Sequence, residues 1–108
     1  MKVAHIDQMI KGWIIGDFDP SVFNTADFEI AIKNYKKGDY EESHHHKIAS
    51  EFTVILDGSA EMSGMTYHSG DIIRIDPNQS TDFKALTDVK TVVIKVPSVR
   101  NDKYLDKI

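Results

Sequence analysis

The chain has 108 residues, with 13 basic and 17 acidic side chains, a formal net charge of −4 and no cysteine. That length suits one domain, residues 1–108, able to bury about two thirds of its unfolded surface. The acidic balance, without a basic stripe interleaved with aromatics, argues against a nucleic-acid partner; the missing cysteines exclude disulfides, thiolate metal sites and cysteine nucleophiles, leaving histidine and carboxylate as metal ligands.

The opening stretch "MKVAHIDQMIKGWIIGDFDP" has no continuous apolar segment. It reads as neither a secretory signal nor a membrane span, so a cytoplasmic location and no membrane partner are expected. Residues 1–25 carry Trp13, Ile14, Ile15, Phe18 and Phe23 without clean alternation. They read equally as a leader packed over one sheet and as an edge strand or dimer contact, since either buries the same groups. From there the apolar period is mostly two. "DFEIAIKNY" sets Phe28, Ile30 and Ile32 against Glu29, Ala31 and Lys33, and "EFTVILDG" is apolar nearly throughout, as in a strand covered on both faces. "SAEMS" and "MTYHS" flank Gly64, followed by "DIIRIDP", "TDFKAL" and "KTVVIKVP". Turn signals recur between them. Short strands at intervals of roughly 8–12 residues predict an all-β antiparallel sandwich or barrel. The tail, residues 98–108, is polar with Tyr104, Leu105 and Ile108, and reads as a loose last turn or a flap over the sheet.

Three of the five histidines stand together in "GDYEESHHHKIASEFTVILDG". In a strand, i and i+2 share a face, so His44 and His46 point together and His45 points away. Glu51 opens the next strand and could bring a carboxylate to the same point. Two imidazoles and one carboxylate suit iron(II), zinc, manganese and nickel. A metal would also hold the imidazoles neutral where protonation would set them in repulsion. A solvated loop beside an ordinary surface glutamate is the competing reading.

The segment runs glycine, five residues, histidine, one, histidine, four, glutamate, six, glycine, as Gly38, His44, His46, Glu51 and Gly58. It resembles the first motif of the cupin family at each of these positions. Gly38 is expected to close the turn before the histidine strand, and Gly58 to permit a hairpin after "VILD". The second cupin motif is degenerate in "GDIIRIDPNQSTDF" from Gly70: Asp76 replaces the proline, Pro77 follows one place late, Asn78 replaces the glycine and Thr81 the histidine. Asn78 still tolerates positive φ. Phe83 falls where many cupins carry an aromatic, and one extra turn residue would put Asp82 in the histidine position. The resemblance implies a jelly roll of six to eight strands, a metal in a central cavity and a homodimer.

Other polar candidates have plainer readings. His68 suits an exposed hairpin, and His5 has no partner in view. Tyr35, Tyr40 and Tyr67 could line a cavity, though single strand aromatics are more often core or surface. Arg74 could bind a carboxylate or phosphate from the cavity side, but pairing with Asp71 or Asp76 is favoured. The resemblance implies a metal-dependent enzyme acting on a small polar molecule, a carbohydrate or organic acid, as isomerase, epimerase or dioxygenase. Glu51, if unligated, or Tyr67 could serve in proton transfer. The alternative is a non-catalytic small-ligand-binding module with a structural, vestigial or absent metal.

Overall fold

Runs of β-branched and aromatic residues become short strands because such side chains pack well on a pleated surface, while Gly, Asn and Asp turn the chain between them. A computed structural model describes residues 1–106. A 3₁₀ turn at Ile6–Gln8 precedes β1 (Trp13–Gly16), β2 (Phe23–Asn24), β3 (Glu29–Tyr35), β4 (Tyr40–His45) and β5 (Ser50–Asp57). Then come β6 (Ser59–Met62), β7 (Met65–His68), β8 (Ile72–Ile75), β9 (Thr81–Ala85), β10 (Val89–Val96) and β11 (Tyr104–Leu105). One sheet has the order β2-β1-β3-β10-β5-β8 and the other β11-β4-β9-β6-β7. Apart from parallel β1 and β2, the paired strands are antiparallel. This is the all-β jelly-roll architecture expected, and no helix among the described residues is long and apolar enough to cross a membrane.

The chain passes repeatedly from one sheet to the other, and two of these crossings, β3 to β4 and β5 to β6, turn on glycine. Gly38 makes the β3–β4 corner at φ 93° and Gly58 the β5–β6 corner at φ 87°, both in the left-handed region that favours glycine. Gly58 therefore serves a sheet-crossing corner, where the sequence suggested a hairpin. A Cβ there would also collide with the Asp88 carbonyl oxygen. Asn78 takes φ 69°, as its place in the degenerate motif requires.

The core between the sheets holds Ile55, Ala60, Met62, Ile75, Phe83, Ala85 and Val89, with Tyr35, Tyr67 and Ile73 packed on it. Further along the same inner faces the side chains turn polar. On β3 the buried residues are Glu29 and Ala31, so Glu29, Ala31, Lys33 and Tyr35 share the interior face, and Ile30 and Ile32 face outward. The apolar half of this alternation faces the leader: Ile6, Met9 and Ile14 line a shallow pocket together with Ile32. The leader also joins the sheet: β1 pairs with β3, and β2 lies at the edge beyond it.

Among the described residues the tail is tied into the second sheet. β11 adds an edge strand beside β4, with Tyr104 opposite His45 and Leu105 opposite His44. Ile108 lies outside the described residues.

Candidate metal centre

Strand β4 would not aim its histidines inward if it were regular. Glu41 lies opposite Phe83 of β9, and His44 lies opposite Thr81. Three steps on β4 thus match two on β9, which is a β-bulge with one extra residue. The bulge resets the pleat, so Glu41, His44 and then His46 all face the interior. Phe83 also faces in, at 5% exposure.

His44, His46 and Glu51 each offer a ligand atom, and these atoms lie within 4.8 Å of one another. Glu51 comes from the start of β5, brought close by the short loop after His46. His44 donates from Nδ1 to the Glu42 carbonyl at 3.0 Å, which leaves Nε2 as the bare nitrogen. His46 is 4% exposed, and its Nε2 is buried without a hydrogen-bond partner. An unpaired buried nitrogen is costly, and a cation facing it removes that cost. Burial, reinforced by the Lys95 charge and His44, pushes the His46 pKa down to about 4, so the ring is a neutral donor. Glu51 accepts from the Thr53 hydroxyl at 3.1 Å. These three residues could therefore hold a metal ion.

His45 turns the other way. Its ring stacks on Tyr104 at 5.5 Å, and its Nδ1 donates to the Asp106 carboxylate at 2.8 Å. Asp106 also accepts from the Ser43 hydroxyl at 2.8 Å. The loop between the two ligand strands is held from behind by Asp102, which is 6% exposed. Its carboxylate accepts from the backbone N–H groups of Lys47 (3.0 Å), Ile48 (3.2 Å) and Ala49 (2.9 Å). Burial alone would raise the Asp102 pKa, but these bonds outweigh it and hold the carboxyl below its ordinary value.

At the degenerate motif, Thr81 lines the cavity, and its hydroxyl donates to the Asp82 carbonyl at 2.9 Å. The Asp82 carboxylate is engaged elsewhere, accepting from the Ser63 N–H at 2.8 Å and the Tyr40 hydroxyl at 3.3 Å. Both residues line the cavity, and Thr81 is the one that lies opposite His44 across β4 and β9.

The centre opens onto a cavity of about 220 Å³. Its wall includes His44, Glu51, Tyr35, Glu41, Thr81 and Phe83, and also Trp13 and the lysines 11, 33, 95 and 103. Tyr35 donates to Glu41 at 2.7 Å, and burial together with the Glu41 charge pushes its pKa up. Of the other tyrosines, Tyr67 packs on the core and Tyr40 is exposed. Arg74 lies on the exposed face and pairs with Asp76 at 2.8 Å. His68 is exposed beside Ser59, and His5 caps the 3₁₀ turn. The sequence reading missed Glu41 and the cavity lysines. For Lys33 and Lys95, the available signal was their place among the small and polar members of alternating strands.

No family model matches the sequence, and no curated protein matches it. Solved structures do match. An uncharacterized conserved protein with a double-stranded β-helix domain from Klebsiella pneumoniae aligns at TM-score 0.70 and 20% identity, covering 78% of this chain and 74% of its own. An RmlC-like cupin protein from Desulfovibrio desulfuricans aligns at 0.63 and 23%, covering 69% and 76%. The DMSP lyase DddQ from Ruegeria pomeroyi aligns at 0.72 and 17%, covering 86% of this chain and 49% of the lyase. At these identities the likeness establishes the fold, which is that of the cupins.

Proposed function

We propose that this chain is a small metal-dependent enzyme, with His44, His46 and Glu51 holding a divalent ion and a small polar substrate entering the cavity beside it. The observation that carries this reading is the convergence of three ligand atoms within 4.8 Å at the wall of a cavity, with a buried, partnerless Nε2 among the groups concerned. Such an ion supplies Lewis acidity, which suits an isomerase, epimerase or dioxygenase acting on a carbohydrate or organic acid.

The protein's own groups supply position and proton control. Phe83 and Met62 give the cavity an apolar part of its wall. Glu41 holds the proton on Tyr35 Oη through its Oε1, so Tyr35 is a neutral hydroxyl and Glu41 a carboxylate acceptor. A substrate hydroxyl near Glu41 would find a base there. The competing reading is a non-catalytic module whose metal shell is closed by protein. The commitment of Thr81 to Asp82, and of the Asp82 carboxylate to Ser63 and Tyr40, favours an open shell.

The test is to strip the protein with chelator and re-add iron(II), manganese, nickel or zinc singly. At least one ion should bind near one per chain and raise the melting temperature, because ligands organised only in the fold convert binding into stability. If none does, the metal reading is wrong.

A further inference from the structure

The cavity wall carries more positive charge than a metal site explains. The chain as a whole is acidic, yet lysines 11, 33, 95 and 103 all line this cavity. None of the four makes an ion pair among the described residues. Three carboxylates share the wall, Glu41, Glu51 and Asp82, hydrogen-bonded to Tyr35, to Thr53, and to Ser63 and Tyr40, so the lysines outnumber the acidic groups by one.

Strand register explains how two of these lysines converge. Trp13, Ala31 and Val93 form one row across β1, β3 and β10. Lys33 lies one inward position to one side of that row, and Lys95 one to the other. Both ammonium groups lean onto the indole, 5.2 and 5.0 Å from its centre. Ala31, the small residue of that row, is fully buried. Lys95 is also the direct cross-strand partner of Glu51. Two half-buried like charges on one ring repel. Burial first, and then the charges of Lys95 and Lys103, hold the Lys33 pKa below the usual value against the opposing pull of Glu41 and Glu51. An anion is the ligand that relieves such a pair. A cavity of about 220 Å³ is below the roughly 300–1,000 Å³ of drug-sized pockets, so the anion is small.

We propose that the substrate is a small carboxylic acid and not a neutral sugar, its carboxylate held by Lys33 and Lys95 against Trp13 and the rest of the molecule reaching toward His44. This deepens the enzyme reading above and rests on it for the role of the metal, while the lysine pair is testable without metal. Malonate, its neutral diamide and inorganic phosphate are titrated calorimetrically into metal-free protein and into protein offered zinc. Malonate should bind metal-free wild type, and the diamide should not. Lys33→Gln and Lys95→Gln should each weaken malonate at least tenfold, and the exposed control Lys90→Gln should match wild type.

Should a variant fail to fold by circular dichroism, wild type still decides. Malonate should slow reductive methylation of Lys33 and Lys95 relative to Lys90, read by mass spectrometry. No malonate binding, equal binding of the diamide, tighter binding of phosphate, affinity unmoved by both lysine variants, or unselective protection would each overturn the proposal. Failure of the metal reading looks different: no zinc is retained, while malonate binding still depends on Lys33 and Lys95.

Discussion

Asp102 lies far in sequence from the candidate ligands, yet its removal should be felt at once. Its carboxylate ties down the backbone N–H groups of Lys47, Ile48 and Ala49, the loop that leads from His46 to Glu51. In Asp102→Ala, the Ala49 N–H stays buried, since Ala49 is 2% exposed. An unsatisfied buried donor costs about 1–3 kcal/mol. Lys47 and Ile48 are exposed, so their N–H groups regain water and lose only the net value of a charge-assisted bond. Together with relief of the buried charge, this gives a loss of about 3 kcal/mol, a large share of the ~5–15 kcal/mol that stabilises a typical domain. Asp102→Asn keeps one accepting oxygen and should lose roughly half as much. Urea unfolding at neutral pH, followed by fluorescence of the single tryptophan, Trp13, measures both. The linkage sign is also fixed. The folded pKa lies below the ordinary value of 3.8, so the contribution is fully present above pH 3.8 and is lost as pH falls through the folded value. Wild type should therefore lose its advantage over Asp102→Ala in strong acid. If both variants unfold within about 0.5 kcal/mol of wild type, in the range of ordinary surface substitutions, the clamp is not what holds the loop.

Alanine at His44 or His46 should remove most of the bound metal, and alanine at His45 should leave metal per chain near wild type, read by elemental analysis under identical loading. Thr81→His should tighten metal binding by adding an imidazole on the cavity side, while Asp82→Ala should leave it unchanged; the reverse result would restore the shifted alignment. With metal removed, stability should be level above pH 6.5 and fall as pH drops from 6.5 toward about 4, because folded His46 resists the proton that the unfolded chain accepts; His46→Gln should flatten that limb in acid-unfolding curves. Gly58→Ala should cost more than Gly64→Ala in melting temperature: both sit at positive φ, but only at Gly58 does a Cβ meet backbone.

The strands were legible because their period is short and their turns are marked by glycine, asparagine and aspartate. Residues 59–62 and 65–68, for example, form a hairpin closed by Ser63 and Gly64, where the sequence had placed the break. The spacing of His44, His46 and Glu51 suggested the convergence that the fold provides. What escaped was which face of β3 turns inward. Burial patterns say that apolar residues go inside, but here Ile32 faces the leader and the interior is partly reserved for polar groups. Lys33 and Lys95 were hidden by that inversion. Asp102 was hidden by distance, since its partners lie more than 50 residues earlier and no local pattern encodes such a bond. Gly58 was misjudged because a hairpin and a sheet crossing ask the same thing of the backbone.

The extra residue in β4 has a bearing on how chains of this shape can vary in length. Between Glu41 and His44 the strand carries one residue more than its neighbour can match. Excise Ser43, and the pleat becomes regular while Glu41, His44 and His46 keep their common side. Remove a residue anywhere from His44 to His46 instead, and an imidazole is lost or turned away. The strand thus has one place where its length is negotiable, and that place is occupied by the side chain that fastens Asp106 of the tail. A shortened variant would separate two duties that the intact strand combines: it would keep the inward-facing imidazoles and give up the Ser43 bond to Asp106, leaving His45 alone to hold that carboxylate.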